Sequence, residues 1–191
     1  MPAITKHETR LVVRELKTQA VTLGTTVGAF WATLAANFAL GGVLFQYGIL
    51  PRSLIGLRGL LFAPFIHGSV EHLIANTVPF LVLGWLVMLR SKHFLGVTVI
   101  SMLFSGGLAW LLGAPGSVHI GASGVIFGYL GFLMLTGWFT RSFVTILLSI
   151  GVTVAWGSVV FGVLPLQQGV SWLSHLGGFI GGIYAARKFR E

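Results

Sequence analysis

Six runs of roughly twenty apolar residues, at about 21–45, 72–89, 94–113, 123–139, 142–163 and 173–188, take up almost the whole chain. A run of that length crosses the hydrocarbon of a bilayer as an α-helix, because a helix satisfies its own backbone hydrogen bonds where water is absent. The connectors leave no room for a separate soluble domain. Charged residues are 8% of the 191, far below the roughly 25% of soluble domains, and the mean hydropathy is +0.91. The reading is an all-α polytopic membrane protein with six spans, in which residues 1–20 form a short basic segment and residues 21–191 the helical domain.

The net charge of +8 would suit nucleic acid, but the basic residues are distributed as a membrane protein requires. Lys6, Arg10, Arg14 and Lys17 precede the first span, Arg90 and Lys92 follow the second, Arg141 follows the fourth, and Arg187, Lys188 and Arg190 follow the sixth. Only Arg52 and Arg58 fall on the other side, so ten of twelve share one face. The positive-inside rule puts that face, with both termini, in the cytoplasm. The first residues lack the order of a cleaved signal peptide, so the first span is expected to act as an uncleaved anchor. There is no cysteine, which excludes disulfides and thiol chemistry.

With that topology the second, fourth and sixth spans all start at the outer face, and their first turns share one depth. Those turns carry His67, His72 and Asn76 in "HGSVEHLIAN", Ser123 in "HIGASGVIFG" and His175 in "SHLGGFIGG". Polar side chains at membrane depth are costly and mark function by default. The chain has no aspartate, and its glutamates are Glu8, Glu15, Glu71 and Glu191, which leaves no acid for a buried triad. The chemistry that remains is a dyad: His175 takes the proton of Ser123 as the hydroxyl attacks a carbonyl.

Such a dyad needs two helices in close approach. Gly124, Gly128 and Gly131 recur along the fourth span, and Gly178 and Gly182, with Gly177 and Gly181 beside them, along the sixth, forming small-residue ridges that let membrane helices touch. His175, three residues before Gly178, lies on the ridge face. Phe127, four residues after Ser123, can pack on the imidazole. Asn76 lies one turn deeper than His72 on the same face, and with the Ser123 backbone N–H these two supply donors for a developing oxyanion. Gly121 and Gly124, flanking Ser123, allow a substrate backbone to come close.

"GASG" at the head of the fourth span, "FIHGSVEHLIAN" leading into the second and "HLGGFIGG" opening the sixth resemble the rhomboid intramembrane serine proteases in their minimal six-helix bacterial form, over residues 65–182. The resemblance implies cleavage of transmembrane substrates near the outer half of the bilayer. Ser123 matches the nucleophile, His175 the general base, Asn76 and His72 the oxyanion-hole side chains and His67 the first-loop histidine. Two positions depart from the pattern. Arg58 and Gly59 stand where the family usually has Trp-Arg, and Met88 where many bacterial members have a buried glutamate.

The expected function is therefore an intramembrane endopeptidase acting on single-span membrane proteins, with no cofactor, no metal and no nucleic-acid partner, in a bacterial cytoplasmic membrane and with its site open to the outer face. His67 and His72, five residues apart, do not share one helix face as a metal pair would. His119 and His93 are read as loop or interface histidines. A glycine-flanked serine can also be plain packing, and a rhomboid-like protein that binds membrane partners without cleaving them is the alternative. A transporter fits less well, since no inverted repeat or intramembrane acid is visible. The apolar first connector is read as lying in the outer interface, flanking the substrate's approach. The connector "PLQQGVSW" before the sixth span is read as a gate.

Overall fold

The computed structural model describes residues 6–167 and 169–190, so residues 1–5 of the expected basic segment and Gln168 of the expected gate lie outside the described residues. Seven α-helices follow in order among the described residues: α1 Lys6–Ala39, the one-turn α2 Gly59–Phe62, α3 Val70–Arg90, α4 Phe94–Leu112, α5 Ser123–Thr140, α6 Phe143–Trp156 and α7 Trp172–Lys188. Short 3-10 turns stand at Val43–Tyr47, Ile55–Arg58, Ala63–Phe65 and Gly157–Val163. Apart from one isolated antiparallel bridge between Ile49 and His119, the regular structure among the described residues is helical.

Among the described residues, four segments are long and apolar enough to cross a membrane: Val70–Arg90, Phe94–Leu112, Ser123–Thr140 and Phe143–Val163. The other two expected spans correspond to α1 and α7, which differ from the reading in instructive ways. Helix α1 begins at Lys6 rather than near residue 21 and ends at Ala39 rather than near 45. Its early start is possible because no glycine or proline interrupts residues 6–20, and polarity alone does not stop a helix. Its early end falls where Gly41 and Gly42 take positive φ. Its 34 residues span about 50 Å, more than the ~30 Å of hydrocarbon. Helix α7 has 17 residues, and its first turn holds Ser174 and His175 in place of apolar side chains.

Helix α5 is the centre of the bundle, buried on nearly every side from Gly124 to Leu133. It packs against α3, α4, α6 and, most extensively, α7, while α7 is also seated on α4. The glycine ridges form the α5–α7 seam: a Cβ on Gly178 would run into the Gly124 carbonyl and one on Gly182 into the Gly128 carbonyl. On the other side of α5, the Ser149 hydroxyl accepts from the Gly137 N–H at 2.9 Å and donates to the Leu133 carbonyl at 2.7 Å, so α6 is inserted into a rung of its neighbour. Tyr129, fully buried, bonds Thr98 of α4 at 2.8 Å. Met88 packs, half-buried, against this core.

The first connector is folded into the one-turn helices and anchored by its own residues. Arg58 donates to the Gln46 carbonyl at 2.8 Å and lies 4.4 Å over the Tyr47 ring. At Gly59 a side chain would meet the Ile49 amide at 2.5 Å, so no arginine can stand there without moving the chain. This arrangement holds residues 48–66 beside the heads of α3 and α5, where the polar residues gather.

Candidate functional site

Ser123 is the first residue of α5, and the chain reaches it through Gly121, whose φ of +106° favours glycine. Just before it, the Ala122 N–H points at His67 Nε2, 3.4 Å away. His175 lies in the first turn of α7, its N–H bonded to the Ser171 carbonyl at 3.1 Å. Because the glycine seam lets the two helices touch, residues 52 positions apart meet: His175 Nε2 is 2.8 Å from Ser123 Oγ.

The protons of this pair follow from its partners. His175 Nδ1 is 2.9 Å from the Gly162 carbonyl, which can only accept, so in the neutral ring Nδ1 carries the hydrogen. Nε2 is left with its lone pair toward the serine hydroxyl. The Phe127 ring lies parallel to the imidazole, 4.1 Å between centroids and 9° between planes. A Cβ on Gly162 would meet both Phe127 Cζ, at 2.8 Å, and His175 Nδ1, at 3.4 Å. The turn Gly157–Val163 thus clamps the imidazole between a carbonyl and an aromatic face.

A cavity of about 590 Å³ opens on this pair, walled by His72, Asn76 and Pro79 of α3, by Ser123 and Phe127 of α5, and by His119, Ser171 and His175. Helix α3 is started by Ser69, whose hydroxyl accepts from the His72 N–H at 3.1 Å. His72 Nδ1 faces the Gly68 N–H at 3.4 Å, which leaves Nε2 as the ring's donor, directed toward Gly121. Asn76 is buried, with its amide nitrogen on the His72 carbonyl at 2.8 Å. The arrangement offers a hydroxyl with an adjacent base and two side-chain donors on one cavity, the parts that acyl transfer needs.

Of the residues singled out from sequence, Ser123, His175, His72, Asn76 and Phe127 line this cavity, whereas His67, Gly121 and Gly124 do not. His67 is wholly buried behind it, against the rings of Phe30 and His72 at 5.4 and 5.1 Å. The space beside Gly124 is filled by Ser105 of α4. Among the described residues no three His, Cys, Asp or Glu side chains converge as a metal site, and the His67 and His72 rings meet edge to face. Two participants were not anticipated from sequence. Gly162 acts through its carbonyl and carries no side-chain signal. His119, set aside as a loop histidine, stands in the cavity wall with Ser171.

Residues 56–191 match the model of the Rhomboid domain family. Among curated proteins, an uncharacterised protein of Mycobacterium tuberculosis is 39% identical over 176 residues, covering 85% of this chain and 73% of the relative. An uncharacterised protein of Mycobacterium leprae is 44% identical over 139 residues, 68% of this chain and 55% of the relative. RHOMBOID-like protein 4 of Arabidopsis thaliana is 31% identical over 133 residues, 64% of this chain and 32% of the relative.

Proposed function

The chain belongs to the rhomboid family, and from that premise we propose that it is an intramembrane serine endopeptidase that cleaves single-span membrane proteins near the outer interface. In this reading α1 and α7 complete a six-span bundle with α3 to α6, the basic residues hold both termini in the cytoplasm, and the cavity opens outward. The observation that carries the proposal is the 2.8 Å approach of His175 Nε2 to Ser123 Oγ, with Nδ1 anchored on Gly162.

The mechanism uses only these groups. Ser123 Oγ bonds to the substrate carbonyl carbon while Nε2 takes its proton. The Gly162 carbonyl and the Phe127 face stabilise the resulting imidazolium, the work an acid does in a triad. The carbonyl oxygen becomes an oxyanion held by Asn76, His72 Nε2–H and the Ser123 N–H, the last at a helix N-terminus where partial positive charge gathers. As the carbon–nitrogen bond breaks, Nε2–H protonates the leaving amine. Water, deprotonated in turn by Nε2, then hydrolyses the acyl ester and restores the hydroxyl.

The test is labelling of the detergent-solubilised protein with a fluorophosphonate, comparing wild type with Ser123→Ala and His175→Ala. Labelling confined to wild type is expected. Unlabelled wild type, run beside an active rhomboid that does react, would overturn the proposal and favour a partner-binding protein.

A further inference from the structure

We propose that His119 is a positioning residue for the general base, fastening the first turn of α7 through Ser171 so that His175 stays in line with Ser123. For its catalytic consequence this inference rests on the proteolytic reading. The geometry behind it is independent of that reading.

The hydrogen bonds around His119 can be given directions. Ser117 Oγ donates to the Ala114 carbonyl at 2.7 Å, so its one proton is spent and it accepts from His119 Nε2–H at 3.0 Å. Burial holds the His119 ring below the usual histidine range, and it is neutral at pH 7. Its Nδ1 is therefore an acceptor and takes the Ser171 hydroxyl proton at 2.5 Å. Ser171 Oγ, its proton given, accepts from the buried Ser174 hydroxyl at 2.6 Å. Ser174, Ser171, His119 and Ser117 each donate once, in one sense, to a final acceptor, the Ala114 carbonyl, and no proton is left over.

Both ends of this chain are anchored. His119 exchanges two backbone hydrogen bonds with Ile49, at 2.9 and 3.0 Å, and its ring occupies space left by Gly113, where a Cβ would meet Nε2 at 2.7 Å. At the other end, Ser171 precedes α7 and its carbonyl accepts the His175 N–H. Ser171 would ordinarily turn its hydroxyl onto the free N–H groups of its helix, as Ser69 does for α3, but here no such cap forms. The hydroxyl is given to His119 instead. The base is thereby tied, through one residue, to the connector that leads into Ser123, independently of the glycine seam deeper in the bundle.

The experiment uses three variants of the full chain. In His119→Asn the amide oxygen stands near the place of Nδ1 and can accept from Ser171; in His119→Gln it stands near Nε2 and cannot; His119→Ala removes both contacts. Two readouts are taken: the rate of Ser123 labelling by a fluorophosphonate, and hydrogen–deuterium exchange of residues 172–176. Misplacement of the base on a 1 Å scale costs about 10- to 100-fold in rate. That loss is expected for Ala and Gln, with Asn close to wild type. Exchange at the head of α7 should rise about tenfold for Ala and Gln, as loss of one net hydrogen bond implies. Equal rates in all three variants, Gln matching Asn, or unchanged exchange in Ala would overturn the inference. If wild type itself fails to label, the protease reading falls, and the exchange data alone still decide whether His119 holds α7.

Discussion

Gly178→Ala is the sharpest perturbation of the seam that brings base and hydroxyl together. The new Cβ would run into the Gly124 carbonyl oxygen and lie 2.8 Å from its carbon, both of them backbone atoms that cannot swing aside. A carbon and a carbonyl oxygen settle at about 3.3 Å at the closest, so α5 and α7 must part by roughly 1 Å or more. Ser123 adjoins Gly124, and His175 is one turn before Gly178, so the parting acts directly on their 2.8 Å bond and takes it past the ~3.5 Å at which it ceases to be one. Overpacking costs about 1–3 kcal/mol, and exchanging glycine for alanine within a helix returns about 0.5–1, which leaves a net loss of up to about 2.5 kcal/mol. Fluorophosphonate labelling should fall about 100-fold. The assay pairs that labelling rate with the thermal midpoint in detergent, using Gly151→Ala as control, where the same methyl group meets nothing within 4 Å. The control should label fully and melt no lower than wild type. A Gly178→Ala protein that does the same would refute the reasoning, because the seam would then not set the distance.

Two further outcomes can be measured with the same material. Asn76→Ala removes one side-chain donor from the cavity while leaving Ser123 and His175 in place, and labelling should drop about 100- to 1000-fold with little change in thermal midpoint; a drop of less than tenfold would take Asn76 out of the oxyanion hole. His67, in the connector ahead of α3, is pushed down from 6.5 to about 4, first by burial and then by repulsion from His72. The folded protein keeps it neutral while the unfolded chain takes up a proton below 6.5, so stability is full above that pH, declines as pH falls from 6.5 to 4 and levels off below 4. The loss is up to about 3 kcal/mol. The thermal midpoint of His67→Gln should decline less between pH 7 and 4 than that of wild type, and an equal decline would assign the acid sensitivity elsewhere.

How much of this could be read from the chain depends on which atoms carry the signal. The helices from α3 to α6 were legible because each is a long apolar run, and hydrocarbon admits little but helix there. The extent of α1 was not, since residues 6–20 are rich in charge yet free of glycine and proline, and polarity marks a membrane boundary without marking a helix end. The approach of Ser123 to His175 could be expected from facing glycines on two spans, because the absence of side chains at i and i+4 is itself a pattern. The space beside Gly124 could not: the same glycine spacing would suit a substrate or a neighbouring helix, and Ser105 fills it.

The sequence by itself determined the solvent, the helical class and the side chains available for chemistry, since these depend on local composition and period. It also argued against an acid in the site, by containing no aspartate and glutamate only at Glu8, Glu15, Glu71 and Glu191. Only the tertiary structure decided what orients His175 in place of that acid. The Gly162 carbonyl that does so exists at every position of every chain, and it becomes a partner only where packing aims it. The direction of the His119 chain was settled the same way, by which acceptors a fold over 52 positions brings within 3 Å of a ring and a hydroxyl.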